Sequence, residues 1–233
     1  MSDVQYDAEE NEDIPYISED ELDFDIISAC IKKLPFFNDD LFLGMQAINV
    51  GITDQSITNW EYGVLRELFT SDKTPEATYA LSAFSQMWIY ALYEILRMWR
   101  DRRFQLNKLY KNGGIESKID SLEDDDPANL TLEIRIEQLK KYKEDSTYRN
   151  LIETTWAKIE PIYRMVELFR INLAKHSAPG KDNAIPRAPG YGRINRWCGA
   201  LDYELINSNG SYEYLNRRDI ADSLRAALKS LFT

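Results

Sequence analysis

Between Ser146 and Lys175 the positions Ile152, Thr155, Ile159, Ile162, Val166, Phe169 and Leu173 follow one another in alternating steps of three and four. At 3.6 residues per turn such steps hold one narrow stripe along a helix of roughly eight turns. A stripe that long is covered by a second long helix lying lengthwise against it, which commits the chain to helical packing. Pro161, inside the run, predicts a kink or a fresh start there.

The second helix is found upstream. Thr74-Pro75 supplies an N-cap and a first-turn proline, and the pattern runs to about Asn112, where Gly113-Gly114 provides the C-cap. Phe84, Trp88, Ala91, Leu92, Ile95 and Trp99 mark its core side. Before it, Ser18-Glu-Asp-Glu21 fits a capping box opening a helix to about Leu34, where Pro35 stops it. Asn38-Asp-Asp caps a short helix that Gly51 closes, and a third helix runs from about Asp54 to Phe69 with Ile57, Trp60, Val64, Leu65 and Leu68 on one side. After it, the acidic turn Glu123–Pro127 precedes a charged helix, about Asn129–Glu144, with Leu132, Ile136 and Leu139 as its apolar stripe. Ser177–Gly192, with three prolines and three glycines, is a loop. Asn209-Gly210 then turns a hairpin at about 199–215, and Asn216-Arg-Arg-Asp219 opens a last helix to Leu231 with Ile220, Leu224, Ala227, Leu228 and Leu231 buried.

The expected fold is therefore mainly α: a multi-helix domain with two long antiparallel helices, one small β-hairpin near the C-terminus and an acidic disordered N-terminal tail. The divisions are 1–17 for the tail, 18–73 for an N-terminal helical extension and 74–233 for the helical domain with its hairpin.

Charge sharpens the reading. The net charge is −11, yet residues 1–27 hold eleven acids and no Lys or Arg, leaving a body with 28 basic and 28 acidic residues. A polyanionic partner is thus not excluded by the total. Cys30 and Cys198 are too few for a disulfide scaffold and lack metal-ligand spacing; with one histidine in the chain, neither a zinc site nor any other cofactor is expected. The acidic start lacks the basic and then apolar character of a secretory signal. The apolar run Ala77–Trp99 is interrupted by Ser82, Ser85, Gln86, Glu94 and Arg97, so it reads as a buried helix with no membrane partner, and a cytoplasmic protein is expected.

His176, the single histidine, follows the long periodic helix, with Arg170 six positions before it. An imidazole exchanges protons near neutral pH, and a guanidinium presents a forked cation to phosphate oxygens. Residues 170–196 carry Arg170, Lys175, Lys181, Arg187, Arg193 and Arg196 against Asp182 alone, and Arg97, Arg100, Arg102, Arg103, Lys108 and Lys111 outnumber Glu94 and Asp101 on the other long helix. Tyr191 and Trp197 offer stacking faces for bases.

A mostly helical chain with two long helices side by side and Arg170-Ile-Asn-Leu-Ala-Lys-His176 at the end of the second resembles the HEPN superfamily over about residues 74–233. Where that family often has a polar residue directly after the arginine, this chain has Ile171, with Asn172 next. The resemblance implies a metal-independent endoribonuclease of a bacterial defence or toxin module, acting in toxin–antitoxin or phage-defence systems as a homodimer. Arg170 and His176 would be catalytic, Asn172, Glu94 and Arg97 would orient them, and Lys175, Lys181, Arg187, Arg193, Arg196 and Tyr191 would bind RNA. An antitoxin or other protein would be a further partner. In an unbroken helix six residues separate two side chains by about 120°. Either the helix ends before His176, or the cleft combines two subunits, which the resemblance favours.

Blander roles fit the same residues. His176 can serve as a cation at a helix C-terminus, Arg170 as an ion-pair partner of Glu167, and Glu94 and Arg97 as an exposed pair. A non-catalytic helical interaction module on the same scaffold is the alternative function.

Overall fold

In the computed structural model, which describes residues 16–71, 73–124, 129–174, 192–206 and 210–232, helix α3 (Ala77–Lys111) packs along α6 (Ser146–Ala174). The two run antiparallel: Tyr93 stacks on Tyr163, Trp99 on Trp156, and Arg103 pairs with Glu153. Ile152, Thr155, Ile159, Ile162, Val166 and Phe169 are all buried, so the stripe is the seam between the helices. The assigned helix runs through Pro161 without a break.

Among the described residues three long helices are present, not two. Helix α2 (Leu41–Thr70) is continuous where a break at Gly51 was expected. It is capped by Asp40, whose Oδ1 accepts from the amides of Phe42 and Leu43. Gly51 is a crossing point: a Cβ there would overlap the Ser28 backbone of α1 (Ile26–Ile31), so glycine admits the neighbouring helix. α1 itself is shorter than the capping-box reading. Residues 16–25 are drawn away into turns, with the Tyr16 hydroxyl on Asp219 Oδ1 (2.8 Å), the Ile17 carbonyl accepting from Tyr62, and Leu22 buried. The expected disorder of the tail concerns mostly residues 1–15, which lie outside the described residues.

Helix α3 ends as expected, with Asn112 at its cap and Gly113 at φ +71°. The next element, α4 (Ile115–Glu123), was not expected. Its Ile115, Ile119 and Leu122 form a short stripe against α5 (Leu130–Glu144), which Asn129 caps.

The hairpin forms in a three-stranded antiparallel sheet: β1 (Arg193–Ile194), β2 (Leu201–Ile206) and β3 (Tyr212–Leu215), in that order. Tyr203 pairs with Leu215 and Leu205 with Glu213, so Leu201, Tyr203 and Leu205 face the core while Tyr212 and Tyr214 face outward. Helix α7 (Arg217–Phe232) opens on a reciprocal cap: the Asn216 amide donates to Asp219 and the Asp219 amide to Asn216 Oδ1, both at 2.9 Å. Ile220, Ala221, Leu224 and Leu228 enter the same hydrophobic cluster as Ile27, Ile57, Trp88 and Ile159, so residues before 74 and after it share one core. No helix among the described residues is long and apolar enough to cross a membrane.

Candidate functional site

Arg170 lies four residues before the end of α6. Its guanidinium stands 5.0 Å over the Tyr93 ring, and its Nε is buried without a hydrogen-bond partner. Beneath, Tyr93 stacks on Tyr163, and the Tyr163 hydroxyl donates to Glu167 Oε1 (2.7 Å) while accepting from Arg100. Burial and then the Glu167 carboxylate raise the Tyr163 hydroxyl well above its ordinary pKa, so it stays protonated. Glu167 is committed to Tyr163 and Arg100, and no carboxylate among the described residues pairs with Arg170.

The other predicted residues divide three ways. Asn172 is a clamp: its Oδ1 accepts from the Ile206 amide (3.0 Å) and its Nδ2 donates to the Ile206 carbonyl (3.1 Å), tying the end of β2 to α6. Two positions on from Arg170, it sits about 200° round the helix. Glu94 and Arg97 form an exposed pair that continues to Asp101, and no contact joins them to Arg170. Arg193 and Arg196 are exposed on β1 and the turn after it. Lys175, His176, Lys181, Arg187 and Tyr191 lie outside the described residues. The long-helix arginines are engaged with carboxylates: Arg97 with Glu94, Arg100 with Asp101, Arg102 with Asp40, Arg103 with Glu153.

Comparison with protein-family models, with characterised proteins and with solved structures finds no match. The site therefore rests on its own chemistry. Among the described residues, no group of three or more His, Cys, Asp or Glu could hold a metal ion.

Sequence reasoning missed two features. The first is a buried ionic cluster between α2 and α7. Arg217 forks onto Glu61 (Nε to Oε1 2.7 Å, Nη2 to Oε2 2.5 Å), reaches Asp54 and Thr58, and lies over Trp88. Arg225 joins Asp54 to Asp222, and Arg218 joins Asp222 to the Tyr62 hydroxyl. Burial alone would lower the Arg217 pKa; the Glu61 and Asp54 charges more than offset it, and the guanidinium stays charged.

The second is a surface without charge. Leu41–Trp60 holds one charged residue, the buried Asp54, and Ala77–Tyr93 holds none, in a chain that is 29 % charged. The two stretches lie side by side, with the Trp88 indole donating to the Val50 carbonyl and Trp60 edge-on to Phe84 at 5.0 Å. Phe42, Met45, Ile52 and Trp60 on α2, and Phe84 and Met87 on α3, are between 40 and 63 % exposed. Trp60, Phe84 and Ala91 were expected in the core. They face outward because α2 turns Asp54, Thr58 and Glu61 inward to meet Arg217, and α3 turns Leu81, Ser85 and Trp88 inward. The signal was present as charge-free runs.

Proposed function

We propose that the chain is a helical interaction module that pairs with a second copy of itself through the uncharged face of α2 and α3. The observation that carries this reading is the absence of exposed charge over Leu41–Trp60 of α2 and Ala77–Tyr93 of α3, whose outer positions hold Phe42, Met45, Ile52, Trp60, Phe84 and Met87. Charge depletion with aromatic and Met enrichment is the composition of an interface centre. Six half-exposed large side chains present on the order of 500 Å² of apolar surface, the larger part of the roughly 800 Å² per partner that a stable interface buries. Light scattering of the purified chain tests it. A dimer that Trp60→Glu with Met87→Glu converts to a folded monomer is expected; a wild-type chain that is monomeric up to about 100 μM, a Kd ceiling of modest affinity, overturns it.

A second reading is favoured by Arg170, a half-buried guanidinium with no carboxylate partner among the described residues, where the arginines of α3 are paired. We infer from it, and from the resemblance its spacing to His176 carries, a metal-independent endoribonuclease of a bacterial defence or toxin module, working in the cytoplasm as a homodimer and held by an antitoxin or similar partner. The RNA 2′-OH attacks its neighbouring phosphate, leaving a 2′,3′-cyclic phosphate and a 5′-OH. His176 moves the proton and Arg170 stabilises the phosphorane oxygens. RNA cleavage in chelator, lost in His176→Ala, is the expected result; no cleavage by the dimeric wild type removes the enzyme and leaves the module.

A further inference from the structure

Between α3 and α5 lies a cavity of about 320 Å³. Two of the side chains lining it are arginines from different helices. Arg102 directs Nη2 to Asp40 Oδ2 (3.0 Å), and Arg135 directs Nη2 to the amide oxygen of Gln105 (3.1 Å). The other terminal nitrogen of each, Nη1, is closed off from water and has no hydrogen-bond partner. Asp101, also at the cavity, is already held by Arg100 on Oδ1 and by Arg97 on Oδ2. Among the described residues, Arg135 is thus a half-buried cation whose partner is neutral.

We propose that this cavity binds a small phosphate ester, the phosphate held between Arg102 and Arg135 and the apolar portion of the ligand lying against Met98, Leu132 and Ile134. Asp40 compensates Arg102, whereas Arg135 has no acid among the described residues, and each guanidinium keeps one Nη1 without an acceptor; a desolvated donor of that kind is costly until an acceptor arrives. Burial first, and the Arg102 charge next, push the Arg135 guanidinium down to about 10, as befits a cation lacking its counter-charge. A phosphate has three non-bridging oxygens and close to two charges, so it accepts from both arginines at once; a carboxylate's two oxygens are used up by one fork. The volume stands at the small end of ligand cavities. That is the scale of a mononucleotide. Neither Nη1 is open to water, so binding turns the guanidinium planes toward the cavity, and Arg135, tied only to the Gln105 amide, is the one free to turn.

The test is calorimetric titration and thermal unfolding of the full chain with inorganic phosphate, AMP and acetate, each against chloride at equal ionic strength. Saturable binding of phosphate, tighter binding of AMP and none of acetate are expected. Arg135→Met weakens AMP binding about tenfold or more, the scale of one lost charged contact, while the unliganded variant melts at the wild-type temperature or above; Arg135→Lys restores part of the affinity. Absence of a saturable response to phosphate and AMP, acetate binding as tight as phosphate, or AMP affinity unchanged in Arg135→Met overturns the assignment. All of these readouts are independent of dimerisation and of RNA cleavage.

Discussion

Arg217, the first residue of α7, and Asp54, in the middle of α2, are 163 positions apart in sequence and form an ion pair shielded from solvent on both sides. With Glu61, Arg225, Asp222 and Arg218 they make a balanced set of three guanidiniums and three carboxylates. Removing one partner leaves the other charged and dry. Asp54→Asn and Arg217→Met should each cost about 3–5 kcal/mol, read as a lower urea midpoint. The double variant should cost less than the sum, since the residues act as one network.

Cys198 is fully buried in the loop between β1 and β2, and burial raises its thiol to about 12. In the unfolded chain the thiol ionises near its ordinary value. Its contribution to stability is therefore complete below that value and falls as pH rises toward 12. Between pH 9 and 10, before free tyrosines ionise, the melting temperature should drop, and Cys198→Ala should flatten that drop. A native chain treated with a thiol alkylator at pH 8 should be labelled at the half-buried Cys30 and spared at Cys198; equal labelling of both would contradict the burial.

Gly51 allows α1 to cross α2 backbone to backbone. Gly51→Ala would be slightly favourable in an isolated helix. Here the added methyl meets the Ser28 backbone, which cannot swing aside as a flexible side chain would. A net loss of about 1–3 kcal/mol is expected, with fluorescence of the buried tryptophans reporting the earlier unfolding. A stabilised variant would show that α1 does not pack at this point.

Asn172 and Arg170, two residues apart, should separate structure from activity. Asn172→Ala removes both bonds to Ile206 and should lower stability by about 1–3 kcal/mol, loosening the β2–β3 hairpin in amide exchange. Arg170→Ala leaves no carboxylate of the described residues unpaired and should change stability little. If RNA is cleaved, the Arg170 variant loses cleavage at unchanged melting temperature. The reverse pattern would place the chemistry elsewhere.

The helices were legible from amino-acid spacing because a long seam admits one solution. Steps of three and four from Ile152 to Phe169 can be buried only by another helix, and α3 supplies it through Tyr93 on Tyr163 and Trp99 on Trp156. Local chemistry was equally readable where it is complete within a few residues, as at Gly113 after α3 and at Asn216 and Asp219 at the start of α7. What sequence could not reveal is which side of a helix a partner far along the chain will claim. Trp60 and Phe84 looked like core, but the side facing inward on α2 belongs to Asp54, Thr58 and Glu61, whose counter-charges arrive on α7. Periodicity reports that a stripe exists and says nothing of charges paired across 150 residues or more. Gly51 shows the same limit, since a glycine reads as a stop until the backbone it must admit is in place. Sequence alone determined the two helices of the principal seam. The tertiary structure decided which carboxylates were buried, which aromatics were left outside, and which arginines, Arg170 and Arg135 among them, have no acid partner among the described residues.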